Sequence, residues 1–213
     1  MNKIDFKKIK IIPLDNNHDL KNFSCKISDL NDFLKEDAYR QSKAMLNVTY
    51  LTLYDDEVLG YFTLSTDNIK ISSLTEYYKE KFKDKDVYYK VFPAVKVGRL
   101  GVDKKFEKKC LGRFLFLQII HHAIKVSKQI GFRFITIDSY VSAYDFYKKM
   151  ECQDGIEREK IENKVNEFKR LISQNKLEKA HKITIFLFFD LYDFHLNILL
   201  KNHTSHNSLK LPS

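Results

Sequence analysis

Residues 98–103 read Gly-Arg-Leu-Gly-Val-Asp, residues 108–113 read Lys-Lys-Cys-Leu-Gly-Arg, and a long apolar stretch follows over 114–124. This order predicts a strand, then a tight turn rich in positive charge, then a helix. The first N–H groups of a helix have no partner within it, so a helix that begins in such a turn directs several donors at one place. The stretch therefore predicts a binding site for a phosphate group.

The net charge of the chain is concentrated around this stretch. The chain has 213 residues, enough for one domain with a substantial core, and a formal net charge of +9. Residues 97–150 hold eleven basic and four acidic side chains, and so carry most of the excess positive charge. This favours a polyanionic ligand, and RNA is a second polyanion that the remaining charge would attract. A solvated basic surface is the alternative interpretation.

The composition argues against a membrane protein, a disulfide-stapled protein and a metalloprotein. No apolar run reaches the length of about 18 residues that a membrane span needs, and the first residues are charged where a signal peptide is apolar. The cysteines Cys25, Cys110 and Cys152 are odd in number and widely spaced, and no Cys or His residues have zinc-site spacing. We therefore expect a cytoplasmic protein with no membrane partner and no metal.

The hydrophobic pattern predicts an α/β protein with a mixed central sheet flanked by helices. Apolar and β-branched runs predict strands over 10–14, 47–54, 58–64, 91–102, 132–138 and 184–189. Helical spacing predicts helices over 28–45, 73–83, 111–129, 142–150 and 191–200, with a charged helical segment over 155–180. Residues 202–213 are expected to form a flexible tail.

Two motifs resemble the signatures of the GNAT superfamily of N-acetyltransferases. The strand over 100–103 and the turn glycine Gly112 match the central signature, while Glu107 replaces its Gln or Arg and Cys110 its first glycine. A residue with a Cβ atom avoids left-handed backbone, so we expect Cys110 to stay out of positive φ. In the second signature Ala143, Phe146 and Tyr147 match. Tyr140 stands where the family often has an Asn that hydrogen-bonds the pantetheine arm.

Further segments read Phe-Ser-Cys at 23–25, Leu-Asn-Asp-Phe-Leu at 30–34, Gly-Tyr-Phe-Thr-Leu-Ser at 60–65 and Gly-Arg-Leu at 98–100. Together with Ala38 they resemble one branch of the superfamily, the acetyltransferase toxins of bacterial type II toxin–antitoxin modules. The resemblance implies the GNAT acyl-CoA N-acyltransferase fold and acetyl-CoA as cosubstrate. It also implies that the chain acetylates the α-amino group of aminoacyl-tRNA, blocks translation and binds an antitoxin protein.

The resemblance also implies roles for individual residues. Tyr147 would protonate the coenzyme A sulfur, and the backbone N–H at Leu100 would stabilise the developing oxyanion. No residue is identified as the general base. An α-amine has a pKa of about 7.7–8.0 and needs less help than a lysine amine at about 10.4. The residues implied to bind acetyl-CoA are Leu100, Gly101, Val102, Lys108, Lys109, Cys110, Leu111, Gly112, Arg113, Tyr140 and Phe146.

The domain prediction is a single GNAT domain over 1–190, with a helical insertion at about 153–181, followed by a C-terminal helix and tail over 191–213. The insertion either covers the acceptor site or binds a partner, and a homodimer is left open. Two other functions remain as alternatives. One is acetylation of a small-molecule or protein amine, and the other is a non-catalytic binding module, which the non-glycine residue at Cys110 motivates.

Overall fold

A seven-stranded mixed sheet forms the centre of the fold within residues 4–74, 76–83 and 90–197, which the computed structural model describes. The strands are β1 (Lys10–Pro13), β2 (Val48–Tyr54), β3 (Glu57–Lys70), β4 (Val91–Val102), β5 (Phe134–Tyr140), β6 (Gln153–Asp154) and β7 (Thr184–Asp190). Their order is β1-β2-β3-β4-β5-β7-β6, and all neighbours are antiparallel except β4 and β5. The predicted α/β class with a mixed central sheet is confirmed. The short strand β6 is an addition to the prediction.

The helices connect the strands and flank the sheet. They are α1 (Ser28–Asp32), α2 (Ala38–Lys43), α3 (Glu76–Lys83), α4 (Leu111–Ser127), α5 (Tyr144–Lys149), α6 (Arg158–Ser173) and α7 (Leu177–Ala180), and residues 191–197 are also helical. Within the described ranges, each helix is too short or too polar to cross a bilayer. The predicted tail over 202–213 and the last three residues of the helix predicted over 191–200 lie outside the described residues.

The helix predicted over 28–45 is present over residues 28–43, but it is not α-helical throughout, because a π-helical segment, Phe33–Asp37, separates α1 from α2. In a π-turn the hydrogen bond spans five residues instead of four. Phe33 and Ala38, five residues apart, are consequently both buried in the same apolar cluster. Through this cluster, α1 packs against residues of β2 and β3.

The two faces of the sheet carry separate apolar layers, because successive side chains of a strand point in opposite directions. On β3, Phe62 packs in the layer that contains α4, whereas its neighbour Tyr61 packs in the layer that contains α1. Burial of one large apolar side chain contributes about 1.5–3 kcal/mol. These layers hold α1 on one face of β4 and α4 on the other. Six residues of α4 are buried, namely Leu111, Leu115, Phe116, Ile119, Ile120 and Ala123.

Candidate active site

The parallel strands β4 and β5 separate after four residue pairs, which join 94–97 of β4 to 134–137 of β5. Next along β4 comes a β-bulge, in which Gly98 is the extra residue opposite the step from Thr63 to Leu64. A Cβ atom at Gly98 would lie 2.9 Å from Thr63 Oγ1, so a larger residue would not fit there without a shift. Beyond the bulge, backbone groups of β4 on the β5 side point into a gap instead of a neighbouring strand.

The gap opens into a cavity of about 800 Å³, a volume typical of sites for small molecules. One wall comes from the segment that leads into α1, two come from the diverging strands, and a fourth comes from α7 and the residues after it. The cavity-lining positions are 26–30 and 32, 96–100, 137–140, 143 and 147, and 177, 178, 181, 182 and 184.

The predicted site residues fall into two groups. Leu100, Tyr140 and Tyr147 line the cavity. The turn and the start of α4 lie beyond this lining, with Phe146 next to them. The residues of this second group, all within the described part of the chain, are Gly101, Val102, Lys108, Lys109, Cys110, Leu111, Gly112, Arg113 and Phe146. The structure therefore separates the cavity from the end of β4, the basic turn and the start of α4.

Tyr147 lies at the cavity wall and is buried, with 7% of its surface exposed. Its ring makes edge contacts with Phe116 of α4 and with Phe146, at centroid distances of 5.6 and 4.9 Å. Burial raises the pKa of the Tyr147 phenol well above its usual value, and the nearby thiol of Cys152 adds to the effect. A phenol is protonated at neutral pH at its ordinary pKa, so the raised pKa leaves Tyr147 protonated and makes it a weaker acid.

Asp29 of α1 contacts both diverging strands. The Tyr140 hydroxyl at the end of β5 donates a hydrogen bond of 2.7 Å to Asp29 Oδ2, and Arg99 Nε of β4 lies 3.7 Å from the same oxygen. Burial, and then the hydrogen bond to Asp29, raise the pKa of the Tyr140 phenol. The Arg99 guanidinium lies over the Phe33 ring at 5.0 Å and donates from Nη1 to the Gly98 carbonyl at 2.9 Å.

The basic turn between β4 and α4 is held by a buried carboxylate. Asp103 accepts hydrogen bonds from the backbone N–H groups of Lys105, at 2.9 Å, and of Ser24, at 2.8 Å. Within the turn, Lys108 has φ of 59° and Cys110 has φ of 60°. The expectation that Cys110 avoids positive φ is therefore wrong. Its backbone is left-handed because the chain reverses there to enter α4, and this costs about 1–2 kcal/mol for a residue other than glycine.

Two contacts shape the turn and the start of α4. Glu107 forms an ion pair with Lys26, which offsets the carboxylate charge at this position. A Cβ atom at Gly112 would lie 3.4 Å from the Phe146 ring, so a small residue there lets α4 and α5 approach closely. The two sequence signatures therefore meet in space at Gly112 and Phe146.

The cavity also contains polar residues that the sequence prediction did not assign. Asp29 and Arg99 lie on its α1 and β4 sides. Glu178 and His181, within the predicted insertion, and Lys182, directly after it, lie on the side of α7. Arg99 directly precedes the predicted residue Leu100, so the motif gave a signal for it. The others carried no local signal, because each reaches the cavity through contacts between distant segments.

Comparison with known proteins identifies relatives of this chain. No protein-family model matches it. A protein described as "Probable toxin TacT", from Sinorhizobium fredii (strain NBRC 101917 / NGR234), is 27% identical over 134 residues, which are 62% of this chain and 72% of that protein.

Two solved structures share the fold. AtaT complexed with acetyl-methionyl-tRNAfMet has a TM-score of 0.70 and 22% identity, and the match covers 89% of this chain and 99% of that one. A tyrosine-to-phenylalanine mutant of the AtaT toxin, bound to the C-terminus of the antitoxin AtaR and acetyl-CoA, has a TM-score of 0.64 and 19% identity. That match covers 90% of this chain and 98% of the other.

The order of the strands, the separation of β4 from β5 and the turn before α4 define a protein of the GNAT fold, as the two sequence signatures predict. The resemblance to the acetyltransferase toxins of toxin–antitoxin modules is confirmed by the similarity to TacT and to AtaT.

Proposed function

We propose that this chain is an N-acetyltransferase that moves the acetyl group of acetyl-CoA to the α-amino group of aminoacyl-tRNA, and so acts as a translation-blocking toxin with a cognate antitoxin. The observation that carries the proposal is the gap between β4 and β5, which opens into a cavity bordered by the protonated phenol of Tyr147. Transfer of an acetyl group from a thioester needs an opening that admits the thioester, with backbone N–H donors on one side and a proton donor on the other.

The residues around the gap fit acetyl-CoA. Alternate peptide groups after Gly98 supply donors and acceptors for an amide-containing arm, since they have no partner in β5. The turn over 104–113 supplies the first N–H groups of α4 and the side chains of Lys108, Lys109 and Arg113 for phosphates. The pairing of Glu107 with Lys26 removes the main repulsion that a phosphate would meet there.

When bound, acetyl-CoA supplies an acetyl group on an activated thioester. Backbone N–H groups near Leu100 would stabilise the negative charge that develops on the carbonyl oxygen. Tyr147, which lines the cavity and is protonated at neutral pH, would donate its proton to the sulfur as the carbon–sulfur bond breaks and the carbon–nitrogen bond forms. With a pKa of about 7.7–8.0, an α-amino group is partly neutral at pH 7–8 and can attack without a strong base. As the amide forms, the nitrogen releases a proton to solvent and Tyr147 regains one from solvent, so that the net products are the N-acetyl amide and the coenzyme A thiol.

The identity of the acceptor is supported by charge and by the relatives. Basic residues exceed acidic ones strongly over 97–150, which contains the turn and both strands of the gap, so a polyanion is attracted to this side. AtaT is seen with acetyl-methionyl-tRNAfMet, and a mutant AtaT toxin with acetyl-CoA and the C-terminus of AtaR. The α7 side of the cavity, with Glu178, His181 and Lys182, would contact the acceptor.

The test is acetyl transfer by the purified chain. Radiolabelled acetyl-CoA is mixed with a panel of aminoacyl-tRNAs that includes methionyl-tRNA, with uncharged tRNA as the matched control that lacks the amine. We expect label on the charged tRNAs alone, released as N-acetylamino acid when the ester is hydrolysed. Expression of the chain in bacteria is expected to arrest growth.

Other results would select the alternatives. Label on free amines or on a lysine-rich protein, with none on aminoacyl-tRNA, would support an acetyltransferase with another acceptor. Calorimetry that detects no binding of acetyl-CoA would support a non-catalytic module. Micromolar binding corresponds to about −8 kcal/mol and is readily measured.

A further inference from the structure

The width of the gap between β4 and β5 is not set by backbone pairing. Pairing ends at Val97 and Ile137, and the two strands then continue separately beside their outer neighbours. Arg99 lies two residues beyond the last pair on β4, and Tyr140 lies three residues beyond it on β5. Any device that holds the strands at a defined separation must therefore act through side chains at these positions.

Asp29 makes such a connection from outside the sheet. Its Oδ2 accepts the hydrogen bond from Tyr140 at 2.7 Å and lies 3.7 Å from Arg99 Nε, so one oxygen faces both sides of the gap. We call these three residues the Asp29 bridge. The carboxylate itself is brought there by α1, which is packed on the sheet through its buried residue Leu30 and through Phe33, the first residue of the π-helical segment.

The two ends of the Asp29 bridge are themselves held in place. The Arg99 guanidinium stacks on Phe33 and donates to the Gly98 carbonyl, so it is anchored on the bulge where the strands begin to separate. The Tyr140 ring packs against the apolar cluster that contains Phe33. Hydrogen bonds that involve a charged group are stronger than neutral ones, so a carboxylate in this position resists spreading of the strands.

At the Arg99 side of the bridge, one N–H group makes no hydrogen bond within the described part of the chain. Arg99 Nε is buried and makes no hydrogen bond to a described residue, and a buried donor without a partner is unfavourable. Its nearest acidic oxygen is Asp29 Oδ2, at 3.7 Å, just beyond hydrogen-bonding distance. Asp29 is therefore the described acidic group placed to pair with this donor.

We propose that Asp29 is a positioning residue that joins Tyr140 to Arg99 and holds the β4–β5 gap at the width that binds the acyl-coenzyme A arm; this rests on the proposed function. The bridge contacts both strands beyond their last residue pair and contributes no group to the transfer reaction. Its loss therefore weakens binding of acetyl-CoA more than it slows turnover at saturation.

The experiment measures acetyl-CoA binding by calorimetry for the full chain and for Asp29→Ala, Tyr140→Phe and the double variant. We expect each single variant to bind about fivefold to tenfold more weakly, as loss of a charged hydrogen bond at a partly exposed site predicts. Because both changes break the same bridge, the double variant is expected to bind no more weakly than the weaker single variant. The matched controls are Asp37→Ala, whose described ion pair is with Arg40, and Tyr39→Phe, which packs on the same apolar cluster.

A second variant keeps the test informative if Asp29→Ala unfolds. Asp29→Asn keeps the shape and an oxygen that can accept from Tyr140 but loses the charge that attracts Arg99, so its affinity should lie between those of wild type and Asp29→Ala. Thermal denaturation of every variant separates a loss of binding from a loss of folding. Wild-type affinity in folded Asp29→Asn and Tyr140→Phe, or additive effects in the double variant, would overturn the positioning role alone. Absence of binding by the wild type would overturn the proposed function and this inference together.

Discussion

The ring of Tyr147 stands edge-on to the ring of Phe116, with their planes 75° apart and their centroids separated by 5.6 Å. This contact joins α5 to α4 and buries the tyrosine where it borders the cavity. Because α4 also begins at the basic turn, a single helix positions both the proposed proton donor and the proposed phosphate-binding turn. Movements of α4 are therefore expected to affect cofactor binding and catalysis together.

The first prediction concerns the hydroxyl of Tyr147. Tyr147→Phe keeps the packed ring and removes the proton donor, so acetyl transfer should fall by about 10²–10⁴-fold while acetyl-CoA binding stays near the wild-type value. Rates are measured with saturating acetyl-CoA, and binding by calorimetry. Tyr144→Phe is the matched control, because Tyr144 is on the same helix and its hydroxyl bonds Asp154 outside the cavity. Unchanged transfer by Tyr147→Phe would rule out its role as the acid.

The second prediction concerns strain at Cys110. Cys110 is exposed and has φ of 60°, so Cys110→Gly removes a left-handed backbone penalty and loses little packing. The free energy of unfolding, measured in urea, should rise by about 0.5–1 kcal/mol. Relief of the left-handed backbone strain in the folded state outweighs the greater conformational entropy that glycine gives the unfolded chain. Cys110→Val should be destabilising by about 1 kcal/mol, since a β-branched residue tolerates this conformation least. Equal stabilities of the two variants would show that the turn is not strained.

The third prediction concerns the α7 side of the cavity. Lys182 lines the cavity and Lys179, one turn earlier, does not, although both belong to the same charged segment. Lys182→Gln should raise the KM for aminoacyl-tRNA several-fold and reduce its salt dependence, with the KM for acetyl-CoA unchanged. Lys179→Gln should leave both values near wild type. A shift in the KM for acetyl-CoA instead would place the α7 residues on the cofactor side.

The fourth prediction concerns the ion pair between Arg133 and Asp190. The guanidinium bonds both carboxylate oxygens at 2.7–3.2 Å and stacks on Phe82, and the Asp190 side chain is 3% exposed. Arg133→Met removes the counter-charge of this buried carboxylate, which keeps the hydrogen bonds from the backbone N–H groups of Tyr192 and Asp193, and should lower the free energy of unfolding by about 3 kcal/mol. The exposed pair of Arg158 with Glu162 supplies the control, because Arg158→Met should cost at most about 0.5 kcal/mol. If urea denaturation showed the same decrease in the free energy of unfolding for Arg133→Met and Arg158→Met, the prediction would be contradicted.

The fifth prediction concerns pH and His122. Partial burial lowers the pKa of His122 below its usual value of 6.5, with Lys125 and His121 adding to the effect. As pH falls below 6.5, His122 binds a proton in the unfolded chain more readily than in the folded protein, so the free energy of unfolding decreases. The decrease stops once the pH is below the lowered pKa of His122 in the folded protein. His122→Gln should therefore lose less stability than wild type between about pH 8 and pH 5. His121→Gln changes an exposed neighbour, and this variant should lose nearly as much stability as wild type over the same pH range.

The sequence predicted the elements around the site well where the pattern was local. The strand predicted over 91–102 and the start of α4 at Leu111 agree with the structure, because a change from extended apolar residues to helical spacing is visible within a few residues. The short helix that carries Tyr147 was also predicted, although its first residues form a 3-10 turn, Val141–Ala143. The π-helical segment after α1 was not predicted, since it depends on packing against the sheet.

The positions that the sequence misjudged or missed depend on distant contacts. Cys110 is left-handed because the chain reverses there to enter α4, and residue type alone predicted the opposite. The contact between Asp29 and Tyr140 joins residues 111 positions apart, and no local pattern records it. The same holds for Lys182, which reaches the cavity because α7 folds back over it.

The sequence by itself determined the order of the elements, the α/β class, the basic turn and the tyrosine of the second signature. Hydrophobic periodicity and residue type are local properties, and they suffice for these features. Only the tertiary structure decided where β4 leaves β5, which side chains surround the resulting cavity and how Asp29 connects its two sides. Those features arise from strand register and from the packing of α1, α5 and α7, which depend on free energies summed over contacts between distant parts of the chain.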